Sequence, residues 1–196
     1  MSTCRSYGER CGARRIALLF DLGDTLMIEE SEVKDAEGTT LRADLLPGAA
    51  EALRWFKEQG YALALVADAR PDTPVNVLRQ HGLYEHFDYL AISEIIGAEK
   101  PEPLIFQTAL KALGIPESGY GRVAMVGNNL ERDIVGANRL GLISIFFHWN
   151  DRRRSQPLTA EEEPRYTVSS IRELVSLVAS FNNSKTCEAL EPWESS

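Results

Sequence analysis

The stretch Ile16-Ala17-Leu18-Leu19-Phe20-Asp21-Leu22-Gly23-Asp24-Thr25-Leu26 decides the fold. Apolar residues lead straight into an aspartate, with a glycine, a second aspartate and a threonine close behind. A short run without polar alternation reads as a strand buried on both faces, of the kind found in the middle of a parallel sheet. Open α/β sheets bind ligands at the carboxyl edge of their strands, so an acid leaving such a strand is well placed for chemistry. An aspartate there also serves as a plain turn or capping residue. Asp21 alone leaves both readings open.

Outward from this stretch the chain alternates. Residues 27–46 hold Glu29, Glu30, Glu32, Asp35, Glu37 and Asp44 against Lys34 and Arg42, and the acid excess with Glu37-Gly38-Thr39 suggests an exposed flap or hairpin. Pro47-Gly48 then opens a helix with Ala49, Ala52, Leu53 and Phe56 at helical spacing, closed by Gly60. A second buried strand, 61–67, runs into Asp68. Further strands are expected over 87–92, 123–126 and 142–147. Helices are expected from about Thr73, from Lys100-Pro101, over 131–140 and over 170–179. Strands alternating with helices imply the α/β class, a doubly wound five-stranded parallel sheet with right-handed crossovers. The expected organisation is a flexible arm over 1–15, one domain over 16–181 and a disordered tail over 182–196.

Composition sets outer bounds. The hydrophobic share of 44% and charged share of 26% are those of an ordinary globular domain. A net charge of −8 argues against general affinity for nucleic acid or anionic membranes. No apolar run approaches the length of a membrane span. Cys4, Cys11 and Cys187 are odd in number and lack metal-ligand spacing, so free thiols and a cytoplasmic location are expected.

Four ordered blocks resemble the haloacid dehalogenase-like (HAD) hydrolase superfamily. They are Phe20-Asp21-Leu22-Gly23-Asp24-Thr25-Leu26, Ala64-Leu65-Val66-Ala67-Asp68, the run from Ile92 to Lys100-Pro101, and the run from Val126-Gly127-Asn128-Asn129 to Asp133 and Ala137. Each is weak alone; in order, each after a strand, they are specific. The resemblance implies a central first strand flanked by the second and fourth. It makes Asp21 the nucleophile of a phosphatase, forming an aspartyl-phosphate with Mg²⁺ as cofactor. The metal would be held by Asp21, the Gly23 carbonyl, Asn128 and Asp133, and Lys100 would steady the charges of nucleophile and phosphate. Thr25 would bind backbone or orient Asp21. Large cap domains common in the family have no room here, and an open crevice suits a macromolecular substrate or a site completed by a second copy.

Three positions depart from the family pattern. Gly23 replaces the acid/base aspartate, Ala67 replaces a phosphate-binding hydroxyl, and Asn128 replaces a metal-binding acid. Asp24 is the candidate substitute acid, although residues three apart on an extended chain point to opposite sides, which favours a turn role. Asp68 either lies beside the phosphate or faces solvent or Arg70. Arg152, in the run Arg152-Arg153-Arg154, would receive a further anionic group, unless the run is a solvated loop. The leading expectation is a slow Mg²⁺-dependent phosphatase acting on a phosphorylated substrate. The alternatives are a weakened phosphate- or protein-binding module and a metal-free dehalogenase in which Asp21 attacks carbon.

Overall fold

The computed structural model describes residues 16–181. The expected arm and tail, with all three cysteines, lie outside the described residues. The sheet is built on β1 (Ala17–Phe20), and every residue of that strand is buried. Alternate side chains serve the two faces: Leu18 and Phe20 join one core, and Ala17 and Leu19 the other. A strand buried on both sides must be apolar throughout, which is why it shows no alternation.

β1 pairs in parallel with β4 (Ala62–Ala67) on one side and β6 (Val123–Gly127) on the other. Between β1 and β4 come a two-stranded antiparallel hairpin, β2 (Val33–Lys34) and β3 (Thr40–Arg42), and helix α1 (Ala49–Glu58). Helix α2 (Asp72–Gln80) leads to β5 (Tyr89–Ile92), one edge of the sheet. A single helical turn α3 (Ser93–Ile96) and helix α4 (Pro103–Ala112) precede β6. Helix α5 (Val135–Arg139), strands β7 (Ile143–Phe147) and β8 (Tyr166–Val168) and helix α6 (Ile171–Ser180) complete the domain.

The large sheet has order β5-β4-β1-β6-β7-β8 and six parallel strands, one more than expected. β8 is only three residues long, too short for its pattern to stand out from the polar segment before it. The Ser144 hydroxyl on β7 accepts the Arg165 amide at 2.9 Å and helps seat it. The helix expected at Lys100-Pro101 begins at Pro103, which leaves Lys100 in the preceding turn.

The apolar faces of α1, α2 and α6 cover one side of the sheet through Leu53, Phe56, Leu78 and Leu174. α4 and α5 cover the other through Ile105, Phe106, Leu110 and Ala137. The chain leaves β1 toward β4 on one side and later returns to β6 on the other. A crevice therefore opens beyond the carboxyl ends of these strands. No helix among the described residues is long and apolar enough to cross a membrane.

α4 and α5 meet so closely that a Cβ on Gly136 would run into the Phe106 ring. Phe106 is fully buried and cannot swing into solvent. Gly136→Ala is therefore expected to cost about 1–3 kcal/mol, read as a lower denaturation midpoint with unchanged m-value in urea.

Candidate active site

β1 ends at Asp21, whose amide continues the ladder by donating to the Val126 carbonyl at 2.9 Å. This bond fixes the acid beside the end of β6. One carboxylate oxygen accepts the Thr25 hydroxyl at 3.2 Å, and the other meets the Lys100 ammonium at 2.5 Å. Lys100 also reaches Asp133 at 2.8 Å. The ammonium thus lies between two carboxylates, with its side chain only 3% exposed.

Two local devices hold this trio. Asp68, at the end of β4, accepts the Lys100 backbone amide at 2.9 Å on one oxygen and Arg132 at 2.9 Å on the other. After β6, Asn129 caps the next turn by accepting the amides of Glu131 and Arg132. Residues 130–134 then form one wide turn in which the Ile134 amide reaches the Asn129 carbonyl. Such turns occur disproportionately at functional sites. Asp133 points back from the turn, and its second oxygen accepts the Asn129 amide at 3.0 Å. It lies over Gly127, where a Cβ would run into the carboxyl group.

The electrostatics follow from burial. Burial alone disfavours the Lys100 ammonium, but Asp133, Asp21 and Asp68 outweigh it and hold its pKa above the usual lysine range. Burial raises the pKa of Asp133, Asp21 pushes the same way, and Lys100 opposes both. Burial also works against the Arg153 guanidinium, which Glu29, Asp21 and Asp133 keep charged.

These groups floor a cleft of about 430 Å³. Asp21, Gly23, Ala67, Asp68, Lys100, Asn128 and Asp133 all line it, so most of the residues expected from the sequence do meet. The hairpin roofs it with Glu32, Lys34 and Thr40. The roof is fastened to α2: Thr73 accepts the Thr40 amide at 3.0 Å and Asn76 donates to the Thr40 carbonyl at 3.0 Å.

Three expectations are corrected. Asp24 does not face the cleft; it is fully buried, accepts the Glu29 amide at 3.0 Å and faces Arg152 at 3.4 Å. Arg152 is likewise absent from the cleft lining, because Asp24, Glu29 and Glu30 engage its guanidinium. Its neighbour Arg153 lines the cleft instead, paired with Glu29 at 2.7 Å. Asp68 faces Arg132 rather than solvent or Arg70. Arg153 carried no separate signal within a run of three arginines, and Glu29 lay unmarked in the acidic insert.

Mg²⁺ takes hard oxygen donors and commonly only one or two protein carboxylates beside substrate phosphate. The Asp21 carboxylate, the Gly23 carbonyl and the Asn128 amide oxygen have that chemistry. Asp133, with both oxygens engaged, fits behind them as a support. Among the described residues no trio of histidine, cysteine, aspartate or glutamate is grouped to hold a metal.

A family model described as haloacid dehalogenase-like hydrolase matches residues 21–141. Glyceraldehyde 3-phosphate phosphatase of Pyrococcus furiosus is 29% identical over 71% of this chain and 56% of its own length. Phosphoserine phosphatase of Thermus thermophilus is 36% identical over 68% of this chain and 51% of its own. The chain spans about half the length of these curated relatives. A HAD phosphatase from Thermococcus onnurineus superposes with a TM-score of 0.68 at 20% identity, covering 83% of this chain and 97% of that one, and so shares the fold.

Removing the ammonium would leave two buried carboxylates without their cation. Lys100→Met is expected to cost about 3–5 kcal/mol in a metal-free buffer containing chelator. The sign of its pH dependence follows from Asp133, whose folded pKa is raised. The folded chain holds that proton to higher pH than the unfolded chain does, so stability declines as pH rises through the window between the two values. Without Lys100 the window should widen and the decline run on to higher pH, which urea titrations at several pH values would read.

Proposed function

Because the chain belongs to the haloacid dehalogenase-like hydrolase family, we propose that it is a phosphatase whose Asp21 attacks the phosphorus of a phosphate ester. The observation that carries this reading is the Lys100 ammonium lying between Asp21 and Asp133 at the end of the central strand. A carboxylate and a phosphate dianion repel one another, and a fixed, buried cation offsets that repulsion where the charges meet. Asp21 is held by its backbone bond to β6 and by Thr25, with its carboxylate turned into the cleft. Preorganisation of this kind converts binding into an aligned attack. The two phosphatases similar to this chain favour a phosphate ester over a halogenated acid as substrate.

Asp21, the Gly23 carbonyl and Asn128 would hold Mg²⁺, with Asp133 supporting them. Bound there, the ion would supply further neutralisation of the phosphate. Lys100 steadies the transferred group, and Arg153 offers the cleft a second cation. The Ala67 side chain donates no hydrogen bond, so phosphate is held less firmly on the β4 side and turnover is slow. The hairpin, with strands of only two and three residues, leaves access for large phosphorylated substrates. The same loss at Ala67, with Gly23 and Asn128, favours a phosphate-binding module as the second reading.

Full-length chain with Mg²⁺ is expected to release inorganic phosphate from a panel of phosphate esters. Asp21→Asn should abolish release, and chelation should remove most of it. An Asp21→Asn variant that turns over like the parent contradicts the reading. Phosphate binding without turnover by the parent favours the module.

A further inference from the structure

Ester cleavage at Asp21 needs a group that gives a proton to the departing oxygen and later takes one from water. This question rests on the phosphatase reading, and most candidates in the cleft are already committed. Lys100 is held by two carboxylates. Asp133 is fully buried, bound to Lys100 and the Asn129 amide. Asp68 holds the Lys100 amide and Arg132. Glu32 holds Lys34 and the Thr40 hydroxyl. A guanidinium does not give up its proton in a protein. Glu29 is paired as well, with Arg153 at 2.7 Å and Arg152 at 3.3 Å, but it lines the cleft with its side chain 23% exposed and lies against Gly23.

The loop after β1 is shaped to deliver it. Asp24 adopts a φ of 48°, and the Leu22 carbonyl accepts the Leu26 and Met27 amides, which folds the chain back on itself. The buried Asp24 carboxylate accepts the Glu29 amide, while the Trp149 indole donates to the Asp24 carbonyl at 2.8 Å. Glu29 is thereby laid beside Gly23, two residues beyond the nucleophile. A Cβ on Gly23 would run into Glu29 Oε1, and the next side-chain atoms lie 3.1 Å from it. Glycine at 23 and glutamate at 29 share one space.

We propose that Glu29 is the proton-transferring carboxylate of this site, reaching in from the loop to the place a side chain on residue 23 would occupy. An Asp21 oxygen bonds to phosphorus as the ester P–O bond breaks, and the leaving oxygen takes the proton of the Glu29 carboxylic acid. The Glu29 carboxylate then takes a proton from water, whose oxygen bonds to phosphorus as the bond to Asp21 breaks. Phosphate leaves, and Asp21 and protonated Glu29 are restored. Arg153 and Arg152 orient the two oxygens, at 2.7 and 3.3 Å. An incoming phosphate dianion competes with Glu29 for Arg153 and frees Oε1 for the proton. Asp24 is a positioning residue that acts through the Glu29 amide.

The test compares p-nitrophenyl phosphate, whose leaving group departs without a proton, with glycerol phosphate, whose leaving group needs one. Glu29→Gln is expected to lower kcat/KM on glycerol phosphate by about 100- to 10,000-fold and on the aryl ester far less. Gly23→Asp alone should bring little gain, because its side chain and Glu29 compete for one space. In a Glu29→Gly background, Gly23→Asp should instead regain at least about tenfold on glycerol phosphate, a small part of the factor such a group supplies. That rescue keeps the test decisive if Glu29→Gln folds poorly. Equal losses on both esters, or no gain from Gly23→Asp in the Glu29→Gly background, overturn the proposal while leaving Asp21 as nucleophile. A parent chain inactive on both esters overturns the phosphatase reading and this proposal with it.

Discussion

Two carboxylates and one ammonium, taken out of water together, set the terms for the rest of the molecule. Asp21 and Asp133 come from neighbouring strands, because the register pairs Phe20 with Val126 and the wide turn after β6 folds Asp133 back. Left alone in a medium of low polarity, two such anions would force one to stay protonated. Lys100 reduces that conflict by touching both, although burial and Asp21 still hold the Asp133 pKa above its ordinary value. Its backbone is held by Asp68 at the end of β4, so three adjacent strand ends are tied through one residue. Desolvating three charges is costly, and close pairing of opposite charges is what makes it tolerable. The same arrangement leaves a cation facing the cleft, which is the property a phosphate site needs.

Around this centre a second ring of ion pairs fixes the loops. Arg152 and Arg153 tie the segment after β7 to Glu29 in the loop after β1, and Arg154 ties it to Glu131 and Glu162. Exposed pairs of this kind add little stability one by one. Their value here is positional: the loops that surround the crevice are joined to one another as well as to the sheet. The hairpin is docked on α2 rather than free, so the cleft has a fixed roof. An acidic chain thereby presents a cleft in which lysine and arginine offset the carboxylates.

The fold was legible because its signals are local and strong. β1, β4 and β6 are apolar throughout, as strands buried on both faces tend to be, β7 is interrupted only by the buried Ser144, and the helices between them carry one apolar stripe each. β8 was invisible because three residues give no period. Asp21, Lys100, Asn128 and Asp133 could be placed from ordered motifs, since each follows a strand end whose position the topology fixes. The side chains that come from loops could not. Whether Arg152 or Arg153 turns inward depends on which guanidinium Asp24 captures, a contact between the loops that follow β1 and β7. Glu29 is six residues beyond Gly23 along the chain yet adjacent in space, through a turn that hinges on one residue with positive φ. Asp24 read as a possible acid, and its burial beneath that turn follows from tertiary packing alone.

The central claim is that Asp21 becomes covalently phosphorylated. Full-length chain, mixed with Mg²⁺ and a phosphate ester and quenched in acid during turnover, can be digested and its peptides weighed. The account expects one phosphoryl group, on the peptide containing Asp21 and at that residue. Phosphate release with no adduct at any time point, or an adduct confined to another residue, would contradict it.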